Sequence, residues 1–359
     1  FRRVLFRSHT LQQMGHDVTY IHRRHNKPNI KYRVQFFIRT LKKFILERTI
    51  RNPFYRFEWL YMGKKGKRML PFFEEHIPHT TPYYTSKALE RHCQGYDAII
   101  VGSDQVWRSE LLHSIEDYYL AFLKNQNTIR VAYAASFGKI KAGYSKSQIH
   151  ICGKLIEKFD AISVREQSGQ DLIRQFEWNV QTPTLVLDPT MLLTKEDYLK
   201  LCIKDKLRTK DKNIHCYILD ATYEKQNLIQ SVSRLLKKDA VDFLQGKDHE
   251  NFLYPSVQEW LEAFMTSDFI ITDSFHGTVF SIIFNVPFLV IANVQRGAER
   301  ITSLLSMLGL TERLYDADMD LQKFLSAHID WNIVNEKLME QKILSMNFLT
   351  NALNKKKSL

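Results

Sequence analysis

Residues Ser267 to Gly277 read S-D-F-I-I-T-D-S-F-H-G, an apolar run that ends in a polar cluster and enters the apolar segment Thr278 to Phe284. The run Phe269 to Thr272 is short and rich in isoleucine, which predicts a buried strand, and the polar cluster after it predicts a loop and the start of a helix. Asp273 or Ser274 is placed to cap that helix, and Gly277 permits a close backbone approach. The N–H groups of the helix's first turn make an anion site there, with His276 beside it. A histidine so placed can donate to a phosphate or carboxylate, or pass a proton near neutral pH; it can equally be a capping or packing residue.

The same alternation recurs outward from this stretch. Asp97 to Val101, Arg130 to Ala134, Ala161 to Val164, His215 to Leu219 and Phe288 to Ile291 are further apolar runs with helical segments between them. Strands alternating with helices predict an α/β fold built on parallel sheets, with functional residues just after the strands. A chain of 359 residues is longer than one core usually fills. Pro183, Asp188 and Pro189 interrupt any helix between Thr182 and Thr194, so the predicted domains are 1–190 and 191–330, with 331–359 a closing helix that crosses back to the first.

Composition narrows the class. With 44% hydrophobic and 25% charged residues, the chain is expected to fold rather than stay disordered. The four cysteines, Cys93, Cys152, Cys202 and Cys216, show no paired or metal-ligand spacing and are expected to be reduced. Runs such as Phe280 to Ile283 and Phe288 to Ala292 fall far short of the roughly 20 residues a membrane span needs. Phe1 to His9 has neither an initiator methionine nor a signal-peptide pattern, and its start has the look of a truncation. The net charge of +12 is concentrated in Arg33 to Arg68, where Lys and Arg alternate with Phe, Tyr and Trp. That mixture suits an anionic membrane surface or a lipid-linked substrate about as well as nucleic acid.

The set of motifs, in order, resembles the polysaccharide pyruvyl transferase family. Thr272 to Gly277 is similar to the family's T-D-S-F-H-G or D-R-L-H-G signature, with Trp260 to Leu261, Ser267 to Asp268 and Asn285 to Phe288 around it. Tyr96 to Trp107 (Y-D-A-I-I-V-G-S-D-Q-V-W) is similar to its first-domain strand and loop, Ile162 to Gly169 (I-S-V-R-E-Q-S-G) to its arginine-bearing strand end, and Asp188 to Pro189 to its D-P linker. Arg300 to Leu310 with Arg313 resembles its S-R-x-x-x-L-L-x-x-L-G-L-x-x-R stretch, with Glu299 in place of the serine.

The resemblance implies a glycosyltransferase-B-like fold, two Rossmann-like domains facing a cleft. It also implies transfer of the pyruvyl unit of phosphoenolpyruvate to a sugar of a surface polysaccharide or its precursor, forming a ketal. On that reading His276 is the general acid or the hydrogen-bond donor that binds the phosphate. Arg165, Ser274, Gly277, Thr278, Arg296 and Arg300 hold the anionic donor, and Gly102, Ser103, Asp104, Gln105, Trp107 and Ser136 hold the acceptor, Trp107 stacking on a sugar face. Where the D-R-L-H-G form has an arginine, this chain has Ser274, which makes Arg296 and Arg300 the replacement candidates. No cofactor is expected beyond phosphoenolpyruvate as co-substrate. His76 and His79 are the nearest candidate metal pair, and Pro78 breaks the helix that would align them, so no metal is expected. A bacterial, cytoplasmic enzyme is implied, touching the inner membrane face through Arg33 to Arg68 and an acceptor such as a lipid-linked oligosaccharide, with no nucleic acid partner. Two other readings stay open: a nucleotide-sugar glycosyltransferase, with Glu299 its only candidate ribose partner, and a non-catalytic basic module.

Overall fold

A computed structural model of the chain describes residues 2–24, 65–112, 114–125, 127–202, 213–244, 249, 251–293 and 298–354. In chain order the first part contains helices α1 (Arg2–Gln13), α2 (Leu70–His76) and α3 (Ser86–His92), strands β1 (Ala98–Gly102) and β2 (Ile129–Ala135), helix α4 (Lys146–Ile156), strand β3 (Ala161–Val164), helix α5 (Gln167–Gln175) and strand β4 (Thr184–Leu185). The second part contains α6 (Lys195–Cys202), β5 (Ile214–Tyr217), α7 (Tyr223–Leu236), β6 (Ala240–Asp242), α8 (Val257–Thr266), β7 (Phe269–Thr272), α9 (Phe275–Ile283), β8 (Phe288–Val290), α10 (Glu299–Leu308), α11 (Leu321–Ser326) and α12 (Trp331–Leu353).

The strands form two four-stranded sheets, ordered β1-β2-β3-β4 and β6-β5-β7-β8. Every pairing in them is parallel. This is the α/β fold with parallel sheets that the alternation predicts. All parallel neighbours point their carboxyl ends the same way, so the loops after β1, β2 and β3 share one edge of the first sheet and those after β5, β7 and β8 share one edge of the second.

The segment around Asp188 is not an exposed linker. Val186 to Leu193 are all buried, and Val186, Leu187 and Met191 to Leu193 join one apolar cluster with Tyr133 and Ala134 of β2 and with Trp260, Phe280 and Phe288 of the second part. Helix α12 returns to the first sheet: the buried Ser345 Oγ accepts from Leu187 N at 2.9 Å, and the Phe348 ring lies 6.2 Å from that of Tyr133. Among the described residues no helix is long and apolar enough to cross a membrane.

Gly102, at the end of β1, is fixed by its neighbour strand. Its φ is +141°, and a Cβ there would lie 1.9 Å from the carbonyl oxygen of Tyr133. Only glycine closes β1 this tightly on β2, and the next residue, Ser103, also turns through positive φ.

Candidate active site

Helix α9 begins at Phe275, so His276 sits in its first turn and not ahead of the helix. Ser274 occupies the N-cap position, yet its side chain makes no cap hydrogen bond. Asp273 does not cap either; its carboxylate accepts from Leu219 N, Asp220 N, Lys225 and Asn293. Both capping expectations are therefore corrected. The loop is held instead by Thr272, whose Oγ1 accepts from Ser274 N at 3.1 Å and donates to Tyr217 O at 2.8 Å. The first intrahelical bond runs from Thr278 N to Ser274 O, which leaves the N–H groups of the first turn directed out of the helix end. Of residues 271 to 284, His276 alone is more than marginally exposed, so it is the side chain this turn offers to an incoming ligand.

Gly277 and Thr278 belong to packing. A Cβ on Gly277 would meet Thr272 Oγ1 at 2.1 Å and Cβ at 2.7 Å, so the close approach it permits is to β7. The Thr278 hydroxyl and its backbone N–H both donate to Ser274 O and the residue is buried, so Thr278 has no donor to give an anion, a correction to its expected place in the donor site. Gly277→Ala is expected to cost about 1–3 kcal/mol through overpacking, read as a lower midpoint in chemical denaturation.

The ring of Phe275 is flanked by two guanidiniums. Arg165, just past β3, places its Cζ 4.7 Å from the ring centroid, and Arg300, from the first turn of α10, places its own at 5.6 Å. Arg165 thus reaches from the carboxyl edge of the first sheet to the turn that carries His276. One arm of its fork is bonded, Nη1 donating to Asp188 Oδ2; Nε lies 3.5 Å from Glu166 Oε2 without a hydrogen bond, Nη2 is buried without one, and the Arg165 and Glu166 side chains are each 2% exposed. The space between Arg165, Asp188, Phe275 and Arg300 is about 10 Å³, room for roughly one water rather than a substrate. As it stands, then, Arg165 is a buried charge behind Phe275 and not a fork open to the ligand.

Arg300 is under electrostatic stress. Burial, and next the guanidinium of Arg165, push its proton affinity down to about 9, against the smaller opposing pull of Glu166 and Asp188; Arg108 also disfavours its charge. An anion reaching this cluster would relieve that stress. Arg300→Met is accordingly expected to leave the thermal midpoint unchanged or higher, because the fold disfavours the charge it carries; if an anionic donor is held here, its KM should rise at least tenfold. A clear fall in the midpoint would contradict this.

On the first sheet's edge the acceptor candidates divide. Trp107 is 0% exposed, stacks on Tyr119 at 5.1 Å and 8°, and donates Nε1 to Tyr118 O. It is a core residue with no face for a sugar, a correction to the stacking expectation. Ser136 is equally buried and its Oγ accepts from Gly138 N. Ser103 and the carbonyl of Gly102 receive Nη1 of Arg7, at 3.4 and 3.0 Å. Asp104 and Gln105 remain at the surface of the loop, and Gln105 Oε1 accepts from Arg108 Nη1 at 2.8 Å. Arg108, Phe275, Glu166 and Asp188 are the participants the sequence reading did not name as site residues. Arg108 follows β1 by a few residues, so the rule that places sites after strands would have found it.

Arg296 lies outside the described residues, as does 33–64 of the basic stretch. At the end of that stretch Lys65 is buried, with its Nζ 5.8 Å from the Phe252 ring, and Arg68 pairs with Glu259. His76 and His79 stack on Phe72 and Phe73. Three cysteines, Cys93, Cys152 and Cys216, are free and buried, and burial pushes the thiols of Cys93 to about 11 and of the other two to about 12.

No curated protein matches the chain at a significant level of sequence similarity. Among solved structures, the S. aureus MnaA–UDP co-structure is 13% identical with a TM-score of 0.45, covering 94% of this chain and 98% of that one. The wall teichoic acid polymerase TagF is 12% identical with a TM-score of 0.40, covering 90% and 98%. The polysaccharide pyruvyl transferase model matches residues 8–295, a span that contains both parallel sheets, Arg165 and the whole of the β7–α9 turn. The chain is an enzyme of the polysaccharide pyruvyl transferase family.

Proposed function

We propose that the chain transfers the pyruvyl group of phosphoenolpyruvate to two hydroxyls of a sugar in a surface polysaccharide or its precursor. The observation that carries this reading is the juxtaposition at Phe275: His276 on the first turn of α9, with Arg165 and Arg300 on the ring beside it at 4.7 and 5.6 Å. A donor bearing both phosphate and carboxylate needs cations and oriented N–H groups, and the N–H groups of this turn lie beside the two guanidiniums.

In the reaction one sugar hydroxyl adds to C2 of phosphoenolpyruvate while a proton is delivered to the methylene carbon C3, which becomes the methyl group. The second hydroxyl then displaces phosphate from C2 and closes the ketal. His276 is assigned the proton delivery or the hold on the departing phosphate, and the first-turn N–H groups of α9 the remaining anionic oxygens. Arg165 and Arg300 act from behind Phe275 as a positive field, with Arg300 able to engage the donor directly if its side chain leaves the cluster. Asp104, Gln105 and Arg108 are assigned to the acceptor side.

This assignment goes with a glycosyltransferase-B-like arrangement, in which Rossmann-like units 1–190 and 191–330 set their carboxyl edges across one cleft. The contact from Arg165 to Phe275 supports it, since it links those edges. The test is phosphate release from phosphoenolpyruvate on adding a panel of nucleotide-linked and lipid-linked sugars. Acceptor-dependent release is expected. No release with any of them, together with thermal protection by a nucleotide sugar and none by phosphoenolpyruvate, would replace this reading with a glycosyltransferase.

A further inference from the structure

The most heavily hydrogen-bonded side chain near His276 is three residues before it. The side chain of Asp273 is 0% exposed, and four donors converge on it. Oδ1 accepts from Leu219 N at 2.6 Å; Oδ2 accepts from Asp220 N at 3.1 Å, Lys225 Nζ at 2.7 Å and Asn293 Nδ2 at 3.0 Å. Two of the donors are cross-braced, because Lys225 Nζ also donates to Asp220 O and Asn293 Nδ2 to Asp220 Oδ2, each at 2.8 Å.

These partners come from separate places in the chain. Leu219 and Asp220 follow β5, Asn293 follows β8, Asp273 follows β7, and Lys225 is in the first turn of α7. One carboxylate therefore ties together the loops at the carboxyl ends of three adjacent strands, β5, β7 and β8. The residue between this tie and the helix is Ser274, whose side chain does not cap α9. The direction of the first turn thus depends on the backbone being anchored ahead of Ser274, by Thr272 and by Asp273.

We propose that Asp273 is the positioning residue for His276, acting by holding the β7–α9 turn against the loops after β5 and β8. An acceptor-only group is required at this point. An asparagine would keep the bond from Leu219 N, but its own NH₂ would face the Nζ of Lys225 and the Nδ2 of Asn293, donor against donor. The turn would then shift to separate them, and a displacement on the order of 1 Å in a reacting group costs about 10²-fold in rate. The kinetic part of this inference rests on the pyruvyl-transfer reading.

The test uses the full chain and the isosteric Asp273→Asn, with Asn293→Ala as a milder variant that removes one donor and keeps the carboxylate. Two quantities are measured: kcat and KM for phosphoenolpyruvate at a fixed sugar acceptor, and amide hydrogen exchange across 219–220 and 274–278. Asp273→Asn is expected to lower kcat about 30- to 100-fold with KM changed less than about threefold, and to speed exchange in both segments. Asn293→Ala is expected to lower kcat about 3- to 10-fold in the same pattern, so a failure of the first variant to fold leaves the inference testable. A kcat within about twofold of wild type in both variants, or unaltered exchange at 274–278, would overturn it. If the wild type releases no phosphate from phosphoenolpyruvate, the functional reading fails, while the exchange data still decide whether Asp273 holds the turn.

Discussion

His276→Ala is expected to lower acceptor-dependent phosphate release from phosphoenolpyruvate by about two to four orders of magnitude, the range a positioned acid or base contributes. The fold should survive, because the ring is half-buried, standing edge-on to Phe275 at 5.4 Å, in a turn whose other side chains are buried. A loss of at most about 1 kcal/mol in stability is anticipated. Steady-state kinetics separate two roles for the side chain. If the imidazole delivers the proton, the whole loss falls on kcat and cannot be restored by raising the donor concentration. If it only holds the phosphate, KM for phosphoenolpyruvate rises and kcat recovers at saturation. Retention of wild-type rates at both low and high donor concentration would remove His276 from the chemistry altogether.

The second large effect concerns stability. Arg165→Met should destabilise the protein by about 3–5 kcal/mol, because it leaves the buried carboxylates of Asp188 and Glu166 without the cation between them. Asp188 is further committed, accepting from both the N–H and the hydroxyl of Thr190 through Oδ1, so it cannot turn away to find another partner. The check is an equilibrium denaturant titration of three proteins. Arg165→Met should show the full loss, and Arg165→Met combined with Asp188→Asn should recover part of it by removing one uncompensated charge. A single variant as stable as wild type would mean that the pair contributes nothing to the fold.

The two substitutions at the arginine pair are expected to move in opposite directions, and the reason is local. Arg165 stands between two carboxylates, whereas Arg300 is held down by burial and by Arg165 itself. Sequence alone gives no access to this difference, since Asp188 is 23 residues from Arg165 and its role depends on the turn after β4.

The interior strands are the most legible part of the sequence, because a strand covered on both faces is a continuous apolar run with polar residues at its end. The run Phe269 to Thr272 coincides with β7 to the residue. β4 and β6 escape such a reading: they are two and three residues long, and Ala240 and Val241 of β6 are exposed, so neither makes an apolar run that stands out. The apolar pattern starts the helix after β7 at Thr278, whereas α9 begins at Phe275, since Phe-His-Gly carries no strong helical signal of its own. Sequence proximity points Asp273 to the cap because capping is decided by near neighbours, while its actual donors sit 20, 48, 53 and 54 residues away. Trp107 misleads for a similar reason: a tryptophan in a polar loop gives no sign of whether its ring faces out or, as here, lies on Tyr119 in the core.

The return of α12 to the first sheet also bears on how the chain folds as it is made. The bond from Leu187 to Ser345 spans 158 residues, and the Phe348 ring approaches β2 from the same helix. A growing chain can pair β1 through β4 early, because those contacts are comparatively local. The N–H of Leu187 and the surface around Tyr133 must then wait until the second sheet has been synthesised and α12 has left the ribosome. During that interval the earlier half carries an uncovered apolar face, and it is α12 that closes it.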